Sequence, residues 1–237
     1  MYDLIAENYS SIFPLEGEKL SFIGSYCNRK DMRILDIGCA TGDLANELAR
    51  QGFAVTGIDL NSKMIGIAKE KARDKNIRAD FKVQNMMELD SDEKYDLVLC
   101  LGNTLPHITT WKELNGFIGL LYKVLKKDGY FIFQILNYDK VLKDKEINFS
   151  RIEGEEYTLE REYPEIGENG IVFKIKYYDK ITHEEYSDST KLLPIEKNKI
   201  LECLSQNGFK DAECFSDYKK TKCSSDDFYN VYAAGKK

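Results

Sequence analysis

The chain has 237 residues, of which 43% are hydrophobic and 31% charged, with a net charge of -6 at pH 7. That length suits one large α/β domain or a core domain carrying an insertion, and the composition excludes a disordered chain. The acidic balance gives a weak electrostatic case for a phosphate backbone, so no nucleic-acid partner is expected.

The first twenty residues, "MYDLIAENYSSIFPLEGEKL", have neither the basic start nor the apolar core of a signal peptide. Residues 16–28 read as a short helix with Leu20, Ile23 and Cys27 on one face. A regular alternation follows. "RILDIG" reads as a buried strand, "GDLANELARQG" as a helix closed by Gly52, and "FAVTGIDL" as a second strand. "NSKMIGIAKEKARDK" is a helix opened by Asn61 or Ser62, "ADFKVQN" a third strand, and "YDLVLCLG" a fourth, apolar enough to lie centrally. "WKELNGFIGLLYKVLKKDG" places Leu114, Phe117, Ile118, Leu121, Val124 and Leu125 at helical spacing before a glycine stop, and "YFIFQIL" is a fifth strand. Strands alternating with amphipathic helices predict an α/β fold with a doubly wound, mostly parallel sheet.

After about Lys145 the period changes to two, with turn signals at "PEIGENG" and "DKIT" and with Ile171, Phe173, Ile175 and Tyr177 on one face. This predicts an antiparallel β-meander at 147–190, inserted into a core formed by 1–146 and 191–237. From Ile195 the first pattern resumes as a helix, a strand and a closing strand. The six cysteines include no C-x-x-C pair and read as reduced thiols of a cytoplasmic protein. With only His107 and His183 present, no metal site is expected. No apolar run reaches membrane-spanning length, so no membrane contact is expected.

The stretch "ILDIGCATGDL" carries the functional signal. Gly38 and Gly42 permit a tight turn and close backbone approach, and the helix beginning near Gly42 aims free N–H groups at the same spot. The dinucleotide fingerprint G-x-G-x-x-G fails here, because Ala40 and Asp43 occupy its second and third glycine positions. Asp36-x-Gly38-x-Ala40-x-Gly42 instead resembles motif I of the class I S-adenosylmethionine-dependent methyltransferases. The resemblance implies their seven-stranded Rossmann-like fold, with S-adenosyl-L-methionine as the cofactor. Asp59, ending the second strand, would then accept the ribose hydroxyls. Asn85 stands where the family usually has an Asp for the adenine amino group, and Met86 and Met87 would pack on the ring. The implied cofactor set is Tyr9, Asp36, Gly38, Cys39, Ala40, Gly42, Asp59, Leu60, Met64, Asn85, Met86, Met87, Leu101 and Gly102.

"LGNTLPHI" and "ILNYD" are similar to segments of glycine and sarcosine N-methyltransferases. That similarity places the Leu101 and Gly102 backbone at the methionine amino group, Tyr9 over the cofactor, and Asn103 and His107 beside the methyl group as candidate catalytic residues. His107 is a candidate base; its other reading is a hydrogen-bond partner of the cofactor or a helix cap. Where those enzymes carry an Arg that clamps a substrate carboxylate, this chain has Leu136, which argues against a simple amino acid such as glycine. The five tyrosines of the meander form either a lid over the acceptor or a packing or dimer surface. His183 reads as a surface strand residue or one facing the pocket.

The expectation is an in-line methyl transfer to a small-molecule acceptor, at nitrogen or oxygen, by a monomer or homodimer. Its rivals are an RNA-directed methyltransferase, a non-catalytic S-adenosylmethionine-binding protein on the same fold, and a nicotinamide oxidoreductase. The acidic charge and the lack of an Asn/Asp-Pro-Pro-aromatic motif count against the first.

Overall fold

The computed structural model describes residues 2–237. After a short 3-10 turn come α1 (Tyr9–Ile12) and α2 (Gly17–Gly24), and then the alternation begins. Its elements are β1 (Arg33–Ile37), α3 (Asp43–Arg50), β2 (Ala54–Asp59), α4 (Ser62–Asp74), β3 (Ala79–Val83), β4 (Tyr95–Cys100), α5 (Trp111–Val124) and β5 (Leu125–Leu136). Then follow α6 (Tyr138–Asp144), β6 (Ile152–Glu153), β7 (Tyr157–Gly167), β8 (Gly170–Asp179), β9 (Glu185–Leu192), α7 (Lys197–Gln206), β10 (Lys210–Phe215) and β11 (Tyr229–Gly235).

The large sheet has seven strands in the order β3-β2-β1-β4-β5-β11-β10. The strands from β3 through β5 are parallel, while β11 runs antiparallel to both β5 and β10. Strand β4 is apolar because it is covered on both faces: Leu97, Val98, Leu99 and Cys100 are all fully buried. Each such leucine or valine contributes about 1.5–3 kcal/mol by leaving water. In β1 the alternation divides the core. Leu35 and Ile37 pack with the Leu114, Phe117, Ile118, Leu121 stripe of α5, whereas Ile34 packs with Ala45 and Leu48 of α3 and Ile65 and Ala68 of α4.

The second sheet is antiparallel, in the order β6-β7-β8-β9. Ile171, Ile175 and Tyr177 are buried and Phe173 half-buried, the shared face read from the sequence. Leu159, Tyr157, Ile175 and Tyr177 pack on Ile5, Ala6 and Ile12 of the N-terminal segment and on Met64. The N-terminal segment thus lies between the second sheet and the first glycine turn.

Three elements differ from the sequence reading. Helix α5 ends at Val124, and β5 begins at once with Leu125, which pairs with Tyr95. The "LKKDG" stretch leaves the helix because Leu125 fills the core and Lys126 Nζ reaches the buried Asp96 carboxylate at 2.9 Å. Gly129 is therefore no helix stop. It lets two carbonyls pass, since a Cβ there would lie 2.9 Å from the oxygens of both Asp96 and Lys126. Helix α2 is shorter than 16–28, and α6, capped by Asn137 Oδ1 on the Lys140 N–H, follows β5 where the sequence reading assigns no element. Among the described residues, no helix is long and apolar enough to cross a membrane.

Candidate active site

The turn from β1 to α3 lies at the carboxyl edge of the sheet, where open α/β folds bind ligands. The Gly38 and Cys39 N–H groups donate to the Ile58 carbonyl at 2.8 and 3.0 Å, fastening the turn to β2. Gly38, Ala40 and Gly42 all have positive φ (71°, 47° and 75°). For Ala40 that conformation costs on the order of 1–2 kcal/mol. The Asp59 carboxylate holds it, since Asp59 Oδ2 accepts the Ala40 N–H at 3.0 Å while Oδ1 accepts the Asn61 N–H at 2.9 Å. A Cβ on Gly38 would meet the Thr104 side chain at 2.5 Å, so the turn and the loop after β4 touch through that missing atom. No side chain caps the first turn of α3, leaving its N–H groups free.

Two acids face this turn. Asp36 is buried, 3% exposed, and among the described residues its carboxyl has no hydrogen bond. Burial pushes its pKa up to about 7, the nearby Asp59 charge adds to the rise, and Lys19 of α2 opposes it. Burial likewise raises Asp59, against the backbone N–H groups that favour its charge. Burial lowers Lys19, whose Nζ lies 5.6 Å from the centre of the Tyr218 ring. Tyr9 of α1 sits over the turn: its hydroxyl is pushed far up by burial and by the charges of Asp59, Asp36 and Asp43. A polar network straps this segment down. Ser10 Oγ donates to Asp43 Oδ2 at 2.6 Å, Lys71 Nζ bridges Ser10 and Asp43, and Asn61 Nδ2 donates to Asp3 Oδ1 at 2.8 Å.

The remaining expected cofactor residues divide. Leu60 is 72% exposed and Met87 37% exposed, two apolar side chains at the rim beyond Asp59. Met86 packs against the main core, and Met64 is fully buried under the N-terminal segment, touching the same cluster as Ala40. The Asn85 amide oxygen takes the Met87 N–H at 3.0 Å, capping a 3-10 turn. Leu101 is buried and its carbonyl accepts the Thr104 hydroxyl at 2.7 Å, while the Gly102 N–H donates to Gln134 Oε1 at 2.9 Å.

Next to the turn is a polar cluster of groups from three parts of the chain. Asn103, at φ 63°, accepts the Leu136 N–H on Oδ1 at 3.0 Å and donates from Nδ2 to the Tyr138 hydroxyl at 3.1 Å. The Tyr138 hydroxyl lies 3.5 Å from that of Tyr163, which β7 of the second sheet supplies. His107 Nε2 is 3.0 Å from the Tyr2 hydroxyl, and burial lowers the pKa of its ring, so the imidazole is neutral at pH 7. Burial raises Tyr2, Tyr138 and Tyr163, the last to about 12, so these hydroxyls stay protonated. Tyr2 lies between the turn and this cluster, with its hydroxyl near enough to Tyr9, Tyr163 and Asp59 for their charges to raise it further.

His183 stands apart in the β8–β9 turn, exposed and beside the Tyr178 hydroxyl at 3.1 Å. Sequence reasoning missed Lys19, Tyr2 and Tyr163. Lys19 sits in an ordinary amphipathic helix, and Tyr163 was one of five tyrosines in the meander with nothing to single it out.

The residues present fit S-adenosylmethionine. The Asp59 carboxylate, held by two N–H groups, keeps lone pairs for a diol. Leu60 and Met87 offer exposed apolar surface to an adenine ring, and Asp36 is a buried carboxyl to which, among the described residues, no cation donates a hydrogen bond.

Comparison with known proteins agrees. Residues 34–129 match the family model described as a methyltransferase domain. A protein of Geobacillus sp. (strain WCH70) named as a methyltransferase is 39% identical over 103 residues, which are 44% of this chain and 42% of that protein. The chain thus spans less than half the length of that relative. The glycine/sarcosine N-methyltransferase of Aphanothece halophytica is 26% identical over 226 residues, covering 93% of this chain and 82% of that one. Among solved structures, an S-adenosylmethionine-dependent methyltransferase from Clostridium acetobutylicum superposes with a TM-score of 0.83 at 20% identity, covering 99% of this chain and 98% of its own. Residues 34–129 thus match a methyltransferase domain, with motif I folded into a turn at the head of a seven-stranded sheet whose fold is that of solved S-adenosylmethionine-dependent methyltransferases.

Proposed function

We propose that the protein transfers a methyl group from S-adenosylmethionine to a small-molecule acceptor, at nitrogen. The observation that carries this reading is the cluster of uncharged polar groups of Tyr2, Asn103, His107, Tyr138 and Tyr163 next to the Asp36–Asp59 turn, which we take to line the acceptor chamber. When bound, the cofactor supplies an electrophilic methyl group on a sulfonium. The chain's own residues do the rest. Asp59 accepts the ribose hydroxyls, and Leu60 and Met87 cover the adenine. Asp36 and the Leu101–Gly102 backbone face the methionine ammonium, while Lys19, close enough to Asp36 to shift it, meets the methionine carboxylate. Tyr9 and the N-terminal strap exclude water from above.

The chemistry asks mainly for alignment, which can supply about 7–11 kcal/mol at the favourable limit. Asn103 fixes the floor of the acceptor chamber by joining the ends of β4 and β5 through the Leu136 N–H. His107, neutral at pH 7, can take a proton from an incoming ammonium on Nε2, the atom that faces Tyr2. The aromatic walls favour a cationic amine and the name of the Aphanothece relative agrees with nitrogen. Residues 147–190 act in this reading as the cover of the acceptor chamber.

Calorimetry with S-adenosylhomocysteine tests the cofactor half, with a saturable isotherm expected and no comparable isotherm with NADH. A panel of amines and phenols, scored by S-adenosylhomocysteine release, tests the acceptor half. Turnover of phenols but no amine would overturn the assignment to nitrogen.

A further inference from the structure

Arg161 lies on the inward face of β7, between the fully buried Leu159 and the chamber residue Tyr163. Its guanidinium carbon sits 5.5 Å from the centre of the Phe13 ring and 5.0 Å from that of Phe149. Among the described residues its one hydrogen bond is a long one, from Nη2 to the Ser150 carbonyl at 3.4 Å, and its buried Nε donates to none of them. Among the described residues no carboxylate is within ion-pairing distance of it. The two flanking acids, on the other face of the strand, are engaged elsewhere: Glu160 with Arg151 at 3.3 Å, and Glu162 with Lys174 and Lys176 at 3.7 and 3.2 Å. The charge of Arg161 reaches the Tyr163 hydroxyl, which it makes more acidic than burial alone would.

A half-buried guanidinium with one buried, unmet N–H is costly unless an anion completes it. Two aromatic rings hold it by its apolar surface and leave its donor edge without an acid. A planar donor edge matches a planar carboxylate through parallel N–H···O bonds. We propose that Arg161 is a specificity-determining residue that binds a carboxylate of the acceptor. The acceptor is then an amine that carries a carboxylate at its far end. Arg161 holds that end from the second sheet, and His107 and Asn103 flank the reacting nitrogen. The inference rests on the methyltransferase reading above for the identity of the chamber.

The test reads Arg161 directly. Acetate is titrated at constant ionic strength into protein labelled with 15N-arginine, alone and with S-adenosylhomocysteine. The Arg161 Nε–H resonance is identified by its loss in Arg161→Lys, a variant that keeps the charge and the stem. The expected result is a saturable shift of that resonance, with an apparent Kd of ~10 mM for a single charge-assisted fork. Chloride should leave it in place, and inorganic phosphate should bind several-fold more weakly. A resonance that ignores acetate, or follows chloride equally, overturns the proposal. Tighter binding of phosphate would also overturn it, by assigning the anion to a phosphoryl group. Because the signal is Arg161 itself in the free protein as well, the outcome stands apart from cofactor binding. Failure of S-adenosylhomocysteine to bind would count against the methyltransferase reading alone.

Discussion

Asp59 has two tasks at one carboxylate, holding Ala40 in a left-handed conformation and keeping lone pairs for a ligand. Asp59→Ala should therefore weaken S-adenosylhomocysteine binding by about 1–3 kcal/mol, measured by calorimetry. Unchanged affinity would remove Asp59 from the ribose. Asp36 makes a prediction about protons. In the free protein its carboxyl is raised to about 7, so near neutral pH it is partly protonated, and a bound ammonium favours the ionised form. Binding should release protons and tighten as pH rises through about 7, seen as a buffer-dependent heat that Asp36→Asn abolishes. The stability sign in the free protein is opposite. A raised acid contributes fully below its unfolded value near 4 and loses that contribution as pH rises through about 7. Asp36, Gly38 and Asp59 were legible in the sequence because spacing along successive strand ends fixes them. Lys19 and Tyr2 were not, since what selects them is a contact across the fold with Asp36 or His107.

The turn between β1 and α3 works through atoms that are absent. Gly38→Ala would force a methyl against Thr104 and strain a φ of 71°, and should lower stability by about 1–3 kcal/mol in urea unfolding. Thr104→Ala added to it should recover the steric part and leave the strain. Recovery of nothing would mean that Thr104 is not the obstacle. Periodicity located every strand of the large sheet, the central ones most plainly because burial on both faces leaves an apolar signature. It misplaced the end of α5, where Val124 and Leu125 continue the helical spacing although Leu125 already pairs with Tyr95. Local pattern cannot tell a buried helical leucine from a buried strand leucine; here the Lys126–Asp96 pair and the sheet register decide. Helix α6 was missed for a similar reason, being only Tyr138–Asp144 long.

At the scale of the molecule, the N-terminal segment joins the two sheets. Asn8 donates to the Tyr177 hydroxyl at 3.1 Å and Ser11 meets the Tyr157 hydroxyl at 3.0 Å on one side, while Ser10, Asp43 and Lys71 fasten the other. Lys71→Met should loosen that strap, raising hydrogen exchange across residues 2–12 and speeding S-adenosylhomocysteine dissociation several-fold. Exchange confined to α4 would place the effect elsewhere. The two-sheet architecture was readable from the change of period near residue 145. The way the second sheet lies against the first was not, because it depends on a segment with little periodic pattern of its own.

That same short segment pins Tyr2 to His107 at one end and Asp3 to Asn61 close by. In the proposed reading, acceptor and nucleoside are therefore behind a single door. Neither spent product would leave until this segment lifts, and both would then be free to go. Such an enzyme completes its first round of chemistry quickly and then waits, so mixing it rapidly with both partners should give a burst of one equivalent ahead of a slower steady rate.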